Sequence, residues 1–172
     1  MEKSSKVFVG MDVHKESIEL TLAEPSGEVR RLGQIGGDRG SLLKMVRKQQ
    51  SKAGELVFIY EAGPCGFWIY RELRPLGQAC MVVSPALIPR RAGDHVKTDR
   101  RDSERLASLA RAGELEGIHV PDIRDEAIRD LVRGRDDAVI ARRRVRQQLK
   151  ALLLRNDTRY MGKTSWTGAH RR

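Results

Sequence analysis

The chain has 172 residues, 40% of them hydrophobic and 33% charged, with a formal net charge of +10. That is enough apolar material for one packed domain plus an extension, which excludes wholesale disorder. No run approaches the roughly 20 apolar residues of a membrane span, no signal core follows the first residues, and two cysteines and four scattered histidines show no zinc spacing, so a cytoplasmic protein with reduced thiols is expected.

Residues 7–13 form an apolar run interrupted by Asp12, which predicts a buried strand. Residues 17–23 alternate, with Ile18, Leu20 and Leu22 on one face, and predict a second strand paired through the short 14–16 connection. A Pro25-Ser26-Gly27 turn leads to a third strand over 28–35, ended by Gly36 and Gly37. Asp38 can cap a helix running to 52, with Leu42, Leu43 and Val46 on its inner face. The run 56–60 predicts a central strand covered on both faces, ending at Glu61. After the 62–66 turn come a helix over 67–76, closed by Gly77, and a buried strand over 79–83. A further helix spans 99–112. Three antiparallel strands followed by αβ units predict an α/β, RNase H-like mixed five-stranded sheet with flanking helices over residues 1–118.

A long helix is predicted from 124 to 154. Ile128, Leu131, Ala138, Val145, Leu149 and Leu152 recur at alternating spacings of three and four, with Arg135 and Arg142 on the same seam. Gly134 weakens this helix and marks a candidate kink. Residues 119–155 thus read as a basic helical, coiled-coil extension, either a helical hairpin arm or a dimerising coiled coil suited to homo-oligomer formation. Residues 156–172 lack periodicity and read as a linker. Residues 1–118 carry 19 Lys/Arg against 16 Asp/Glu, whereas 119–172 carry 14 against 7. A basic appendage on a near-neutral domain points to a polyanionic partner, and charge alone equally fits a solvated basic helix.

The candidate chemistry lies in four acids. Asp12 interrupts an apolar strand and shares a face with Phe8 and Gly10. A carboxylate there is costly unless paired or metal-bound. Glu61 ends the most apolar strand, which the predicted topology sets beside the first. Asp99 and Asp102 lie three apart, at the start of the helix face continued by Leu106, Leu109 and Ala110. Taken singly, each acid also reads as an ordinary cap or strand-end residue. Converging carboxylates repel by roughly 4 kcal/mol per pair at 4 Å in a surface-like dielectric, so they need cations. Mg2+ suits all-oxygen ligands, and two such ions can serve phosphoryl transfer. Glu16, Glu19 and Glu28 are assigned to polar strand faces. Asp94 is a candidate for a supporting role, and Lys97, Arg100 and Arg101 flank the helix acids.

Gly10-Met11-Asp12-Val13-His14-Lys15, Tyr60-Glu61-Ala62-Gly63, and Lys97-Thr98-Asp99-Arg100-Arg101-Asp102-Ser103 with Ala107 beyond together resemble the DEDD transposases of insertion-sequence family 110. The resemblance covers almost the whole chain. It implies a RuvC-like site in which Asp12, Glu61, Asp99 and Asp102 hold Mg2+ or Mn2+ and act in DNA cleavage and strand exchange. It also implies a guide (bridge) RNA and DNA as partners and a bacterial, nucleoid-associated location. Lys15, Lys97, Arg100, Arg101, Arg142, Arg143, Arg144 and Arg146 are the candidate nucleic-acid contacts. Family members continue into a second, serine-bearing domain. Residues 163–170 resemble its opening, and Ser165 matches no catalytic serine motif, so the chain is expected to lack the full strand-exchange site.

Two other readings compete. Actin-like ATPases and sugar kinases also open on an Asp-bearing strand, but their phosphate loop needs small residues, and here Val13-His14-Lys15-Glu16 follows. A catalytically silent nucleic-acid-binding or dimerisation module needs only the basic helix. Three Phe, three Tyr and two Trp are few for a base-stacking surface.

Overall fold

A computed structural model of the chain describes residues 6–51, 54–89 and 99–168. The chain separates into two compact units, Met1–Val120 and Pro121–Arg172.

The first unit is built on a five-stranded sheet. It contains β1 (Val7–Val13), β2 (Ser17–Ala23), β3 (Val29–Gly36), α1 (Arg39–Gln50), β4 (Leu56–Glu61), α2 (Trp68–Leu73), β5 (Ala79–Val83) and α3 (Asp99–Ala112). The strand order is β3-β2-β1-β4-β5. β1 to β3 form an antiparallel meander, while β4 and β5 run parallel to β1. This is the mixed sheet of the RNase H-like fold that the element order predicts.

Period-two alternation decides which side chains meet which helices. Val9 and Met11 of β1, Ile18, Leu20 and Leu22 of β2, and Phe58 and Tyr60 of β4 pack with Leu42, Met45 and Val46 of α1 and Ile69 and Leu73 of α2. The opposite face belongs to α3, where Ile59 and Val83 of the sheet meet Leu106 and Ala110. Two features bind α3 closely to the sheet. Gly10 has no side chain, and a Cβ there would lie 2.0 Å from the Ser103 carbonyl oxygen and 2.6 Å from the Ala107 nitrogen. Alongside, the buried Thr21 and Ser103 hydroxyls share a hydrogen bond of 2.9 Å, which satisfies both polar groups without water.

Local signals set the helix ends. Asp38 accepts from the Ser41 N–H at 3.0 Å and caps α1. The helix predicted over 67–76 is α-helical only to Leu73 and tightens to a 3-10 turn over Arg74–Leu76. Pro75 has no N–H to continue the α-helical ladder. Gly77 then closes the element at φ 72°.

One expectation about the strand faces is overturned. Glu19 is not on a solvated face: it is 3% exposed and lies on the α3 side of β2, directly across from Asp12. Arg31 of β3 neutralises it, with Nη2 donating to Oε2 at 3.0 Å and Nε donating to Oε1.

In the second unit, α4 (Ile123–Arg155) is one helix of 33 residues, about 50 Å long at 1.5 Å per residue. Asp122 caps it through the Asp125 N–H at 2.7 Å. It runs unbroken through Gly134, and none of its residues is buried within the chain. No helix among the described residues is long and apolar enough to cross a membrane.

Candidate functional site

β1 carries Asp12 to its carboxyl end, where the strand turns through 14–16 into β2. The turn is held by its own backbone. His14 N–H donates to the Ser17 carbonyl at 2.8 Å, and Gly37 N–H donates to the Glu16 carbonyl at 3.0 Å. The Cys65 thiol lies 3.7 Å from the Val13 carbonyl oxygen on the same stretch. Asp12 and the first turn of α3 occupy the same side of the sheet, because Gly10, two residues earlier, lies directly beneath Ser103 and Ala107.

There Asp12, His14 and Asp99 come together, with one ligand atom from each lying within 4.8 Å of the others. His14 Nε2 donates to Asp12 Oδ2 at 3.1 Å and lies 3.5 Å from Asp99 Oδ1. Asp102, one turn along α3, is half-buried and close enough for its charge to act on Asp12. Glu61 ends β4, and continuing the Met11–Tyr60 register by one residue sets it beside Asp12. Its side chain is exposed. Among the described residues, Asp12 and Asp99 therefore meet within ligand reach together with a histidine, while Glu61 and Asp102 flank that group without joining it.

The electrostatics follow from this placement. Burial pushes the Asp12 carboxyl above its ordinary range, and the negative charges of Asp99 and Asp102 add to the push. The His14 imidazole, bonded to it, works the other way. The same contact raises His14 above its ordinary value, chiefly through the Asp12 charge, with Asp99 contributing less. The imidazole thus stands between the two carboxylates, where a cation would balance them.

The donor set fits a small divalent ion. Octahedral coordination at about 2.1 Å places adjacent ligand atoms roughly 3 Å apart and opposite ones roughly 4.2 Å apart. The separations of 3.1 and 3.5 Å, within a 4.8 Å group, fall in or near that range. His14 stands in the Gly10–Lys15 stretch that carries the family resemblance, but neither spacing nor charge pattern marked it as part of the group. Its position depends on the path of a three-residue turn and on its own rotamer, and neither leaves a trace in periodicity.

A model of the DEDD transposases of insertion-sequence family 110, described as a transposase, matches residues 9–156. The chain belongs to this family. Its y4qE relative from Sinorhizobium fredii (strain NBRC 101917 / NGR234), whose name is that of a transposase, is 46% identical over 164 residues, covering 94% of this chain and 42% of that protein. The transposase for insertion sequence element IS1533 of Leptospira borgpetersenii is 40% identical over 169 residues, covering 96% of this chain and 49% of that protein. This family member therefore spans less than half the length of either relative. Among solved structures, the Thermoplasma acidophilum Pelota protein aligns with 48% of this chain and 28% of that chain, at 14% identity and a TM-score of 0.34, too slight a likeness to bear on the fold.

The candidate nucleic-acid contacts of this family member fall into two groups. In the first unit, Lys15 is exposed and lies 3.2 Å from Glu16, and Arg100 and Arg101 are exposed on the first turn of α3. Lys97, like Asp94, lies outside the described residues. In the second unit, Arg142, Arg143 and Arg146 line an open cleft of about 380 Å³ with Lys150, Gln147 and Trp166. Arg144 is exposed on the same stretch of helix. The Arg146 guanidinium sits over the Trp166 ring, 5.0 Å from its centroid, a cation–π contact. Trp166 was invisible as part of a site because it lies 20 residues along the chain from Arg146, in a segment without periodicity.

Proposed function

We propose that this chain supplies the metal-binding, nucleic-acid-handling part of a transposase, acting in DNA cleavage and strand exchange with Asp12, Glu61, Asp99 and Asp102 as its acidic set. The observation that carries this reading is the meeting of Asp12 and Asp99 at the carboxyl end of β1, in a chain of the DEDD family. Asp12 is half-buried, and its burial and the neighbouring charges of Asp99 and Asp102 oppose its ionised form, a situation that a divalent cation relieves. Mg2+ or Mn2+ bound here would supply Lewis acidity toward a phosphodiester.

The residues of the chain have separable tasks in this scheme. Asp12 and Asp99 hold the ion. Asp102, one turn along α3, and Glu61, at the end of β4, are the candidates to complete the shell or to receive a second ion. Glu19 stays out of it because Arg31 already satisfies both of its oxygens. Arg100 and Arg101, beside the helix acids, are placed to meet phosphates of DNA or of a guide RNA. Mn2+ at millimolar concentration should raise the melting temperature of the wild-type chain. Asp99→Asn should lose most of that rise, as read by differential scanning fluorimetry. Equal shifts in both proteins would refute the assignment.

The cationic stretch of α4 supports DNA or RNA as a partner, and its exposed seam supports a homo-oligomer. Leu131 is 74% exposed and Val145 60%. Such residues in a heptad pattern suit burial against a second copy. Binding to duplex DNA should weaken with salt by a log–log slope of about −0.9 per phosphate neutralised. Arg142→Ala/Arg143→Ala/Arg146→Ala should make that slope shallower by two to three such increments. Filter binding across a salt series measures it, and an unchanged slope would remove these residues from the interface.

A further inference from the structure

His14 is not among the four acids for which the DEDD family is named, yet it is the side chain that touches both carboxylates at the centre of the site. We propose that His14 Nε2 is a direct ligand, with Asp12 and Asp99, of the divalent cation at this centre, and that its nitrogen makes the site favour Mn2+ over Mg2+. This rests on the metal-binding reading of Asp12 and Asp99 above.

Three observations carry it. First, the distances of 3.1 and 3.5 Å from Nε2 to the two carboxylate oxygens are close to the spacing of adjacent ligands around one small ion. An ion set among these three atoms therefore needs only small side-chain adjustments. Second, the backbone of the turn is fixed on both sides of His14 by the His14–Ser17 and Gly37–Glu16 hydrogen bonds. A Cβ on Gly37 would lie 2.6 Å from the Lys15 carbonyl oxygen, so β3 ends in close contact with this turn. The imidazole is thus presented from a rigid base, although half of its surface is open. Third, that open side leaves room in the shell for water or a phosphate oxygen.

The consequence for ion choice follows from ligand chemistry. Mg2+ takes oxygen ligands and releases its waters reluctantly. Imidazole nitrogen favours first-row transition metals instead. Two carboxylates and one neutral imidazole, with its proton on Nδ1, would balance a dication.

Pulsed EPR on Mn2+ bound to the 172-residue chain reads the ligand directly. The wild-type spectrum should show 14N modulation from a coordinated imidazole, and His14→Ala and His14→Gln should lose it. By calorimetry, both variants should bind Mn2+ at least about tenfold more weakly, with Mg2+ affinity changed by less than about threefold. Wild-type Mn2+ binding that is lost in Asp12→Asn but shows no nitrogen modulation would overturn the inference and leave the carboxylate site standing. Equal weakening of both ions in the His14 variants would also overturn it, because His14 would then act only by orienting Asp12. Mn2+ binding that is indifferent to Asp12→Asn and Asp99→Asn would instead remove the parent reading.

Discussion

Asp12→Asn should leave the metal-free protein at least as stable as the wild type while removing its affinity for divalent ions. The two effects have one cause. Asp12 is half-buried, and both burial and the neighbouring acids oppose its ionised form. The amide keeps the shape and can still bond His14, but it brings no charge into that environment. It also takes away the ligand that sits most deeply in the group, so Mn2+ affinity should fall by more than the 10–100-fold typical of losing an outer-shell partner. Thermal melts in chelator and isothermal titration with Mn2+ separate the two effects. A variant that lost metal binding and also melted well below the wild type would show that Asp12 supports the fold rather than the site.

Gly10→Ala should be the most damaging one-carbon change in the first unit. The added methyl would fall 2.0 Å from the Ser103 carbonyl oxygen and 2.6 Å from the Ala107 nitrogen. Both are helix backbone, so relief requires α3 to move as a body. Overpacking of this kind costs about 3 kcal/mol, a fall in melting temperature on the order of 10 °C for a unit of this size. Because α3 also carries Asp99 and Asp102, metal-induced stabilisation should shrink in the same variant. Gly134→Ala is the control. Beyond the neighbouring backbone of its own helix, no described atom lies within 4 Å of the position where its Cβ would stand, and alanine there should strengthen α4 by about 1 kcal/mol. If Gly10→Ala melted no lower than the wild type, the close seating of α3 on β1 would be wrong.

Most of the fold could be read in advance, for reasons that differ by element. The limits of β1, β2, β4 and β5 follow from apolar runs bounded by Gly, Pro and charged residues. The α1 start follows from Asp38, and Gly77 marks the close of the 3-10 turn that follows α2. The parity of β1 put Asp12 on the side of Gly10, and the run 56–60 put Glu61 at a strand end. Glu19 shows where parity stops being informative. Alternation says that Glu19, Thr21 and Ala23 share a face, but not that a helix more than 75 residues later will cover it. His14 depends on a turn path and a rotamer, and the Arg146–Trp166 pairing depends on a return of the chain. Those are tertiary facts with no local signature. The apolar seam of α4 was legible as a pattern, and its residues are not buried.

The anchoring of α3 is uneven along its length. Its buried residues begin at Ser103 and continue through Leu106, Ala107 and Ala110, so the turn that bears Asp99 and Asp102 lies ahead of every side chain that grips the sheet. The first amides of a helix also have no carbonyl within it to bond. One half of the site is therefore stiff, because Asp12 rides in the middle of a sheet, and the other half is compliant. An arriving ion or phosphate can draw the leading turn of the helix inward by a fraction of an ångström without disturbing the core. Amide exchange over residues 99–102 should accordingly slow on loading, while exchange in β1 stays as it was.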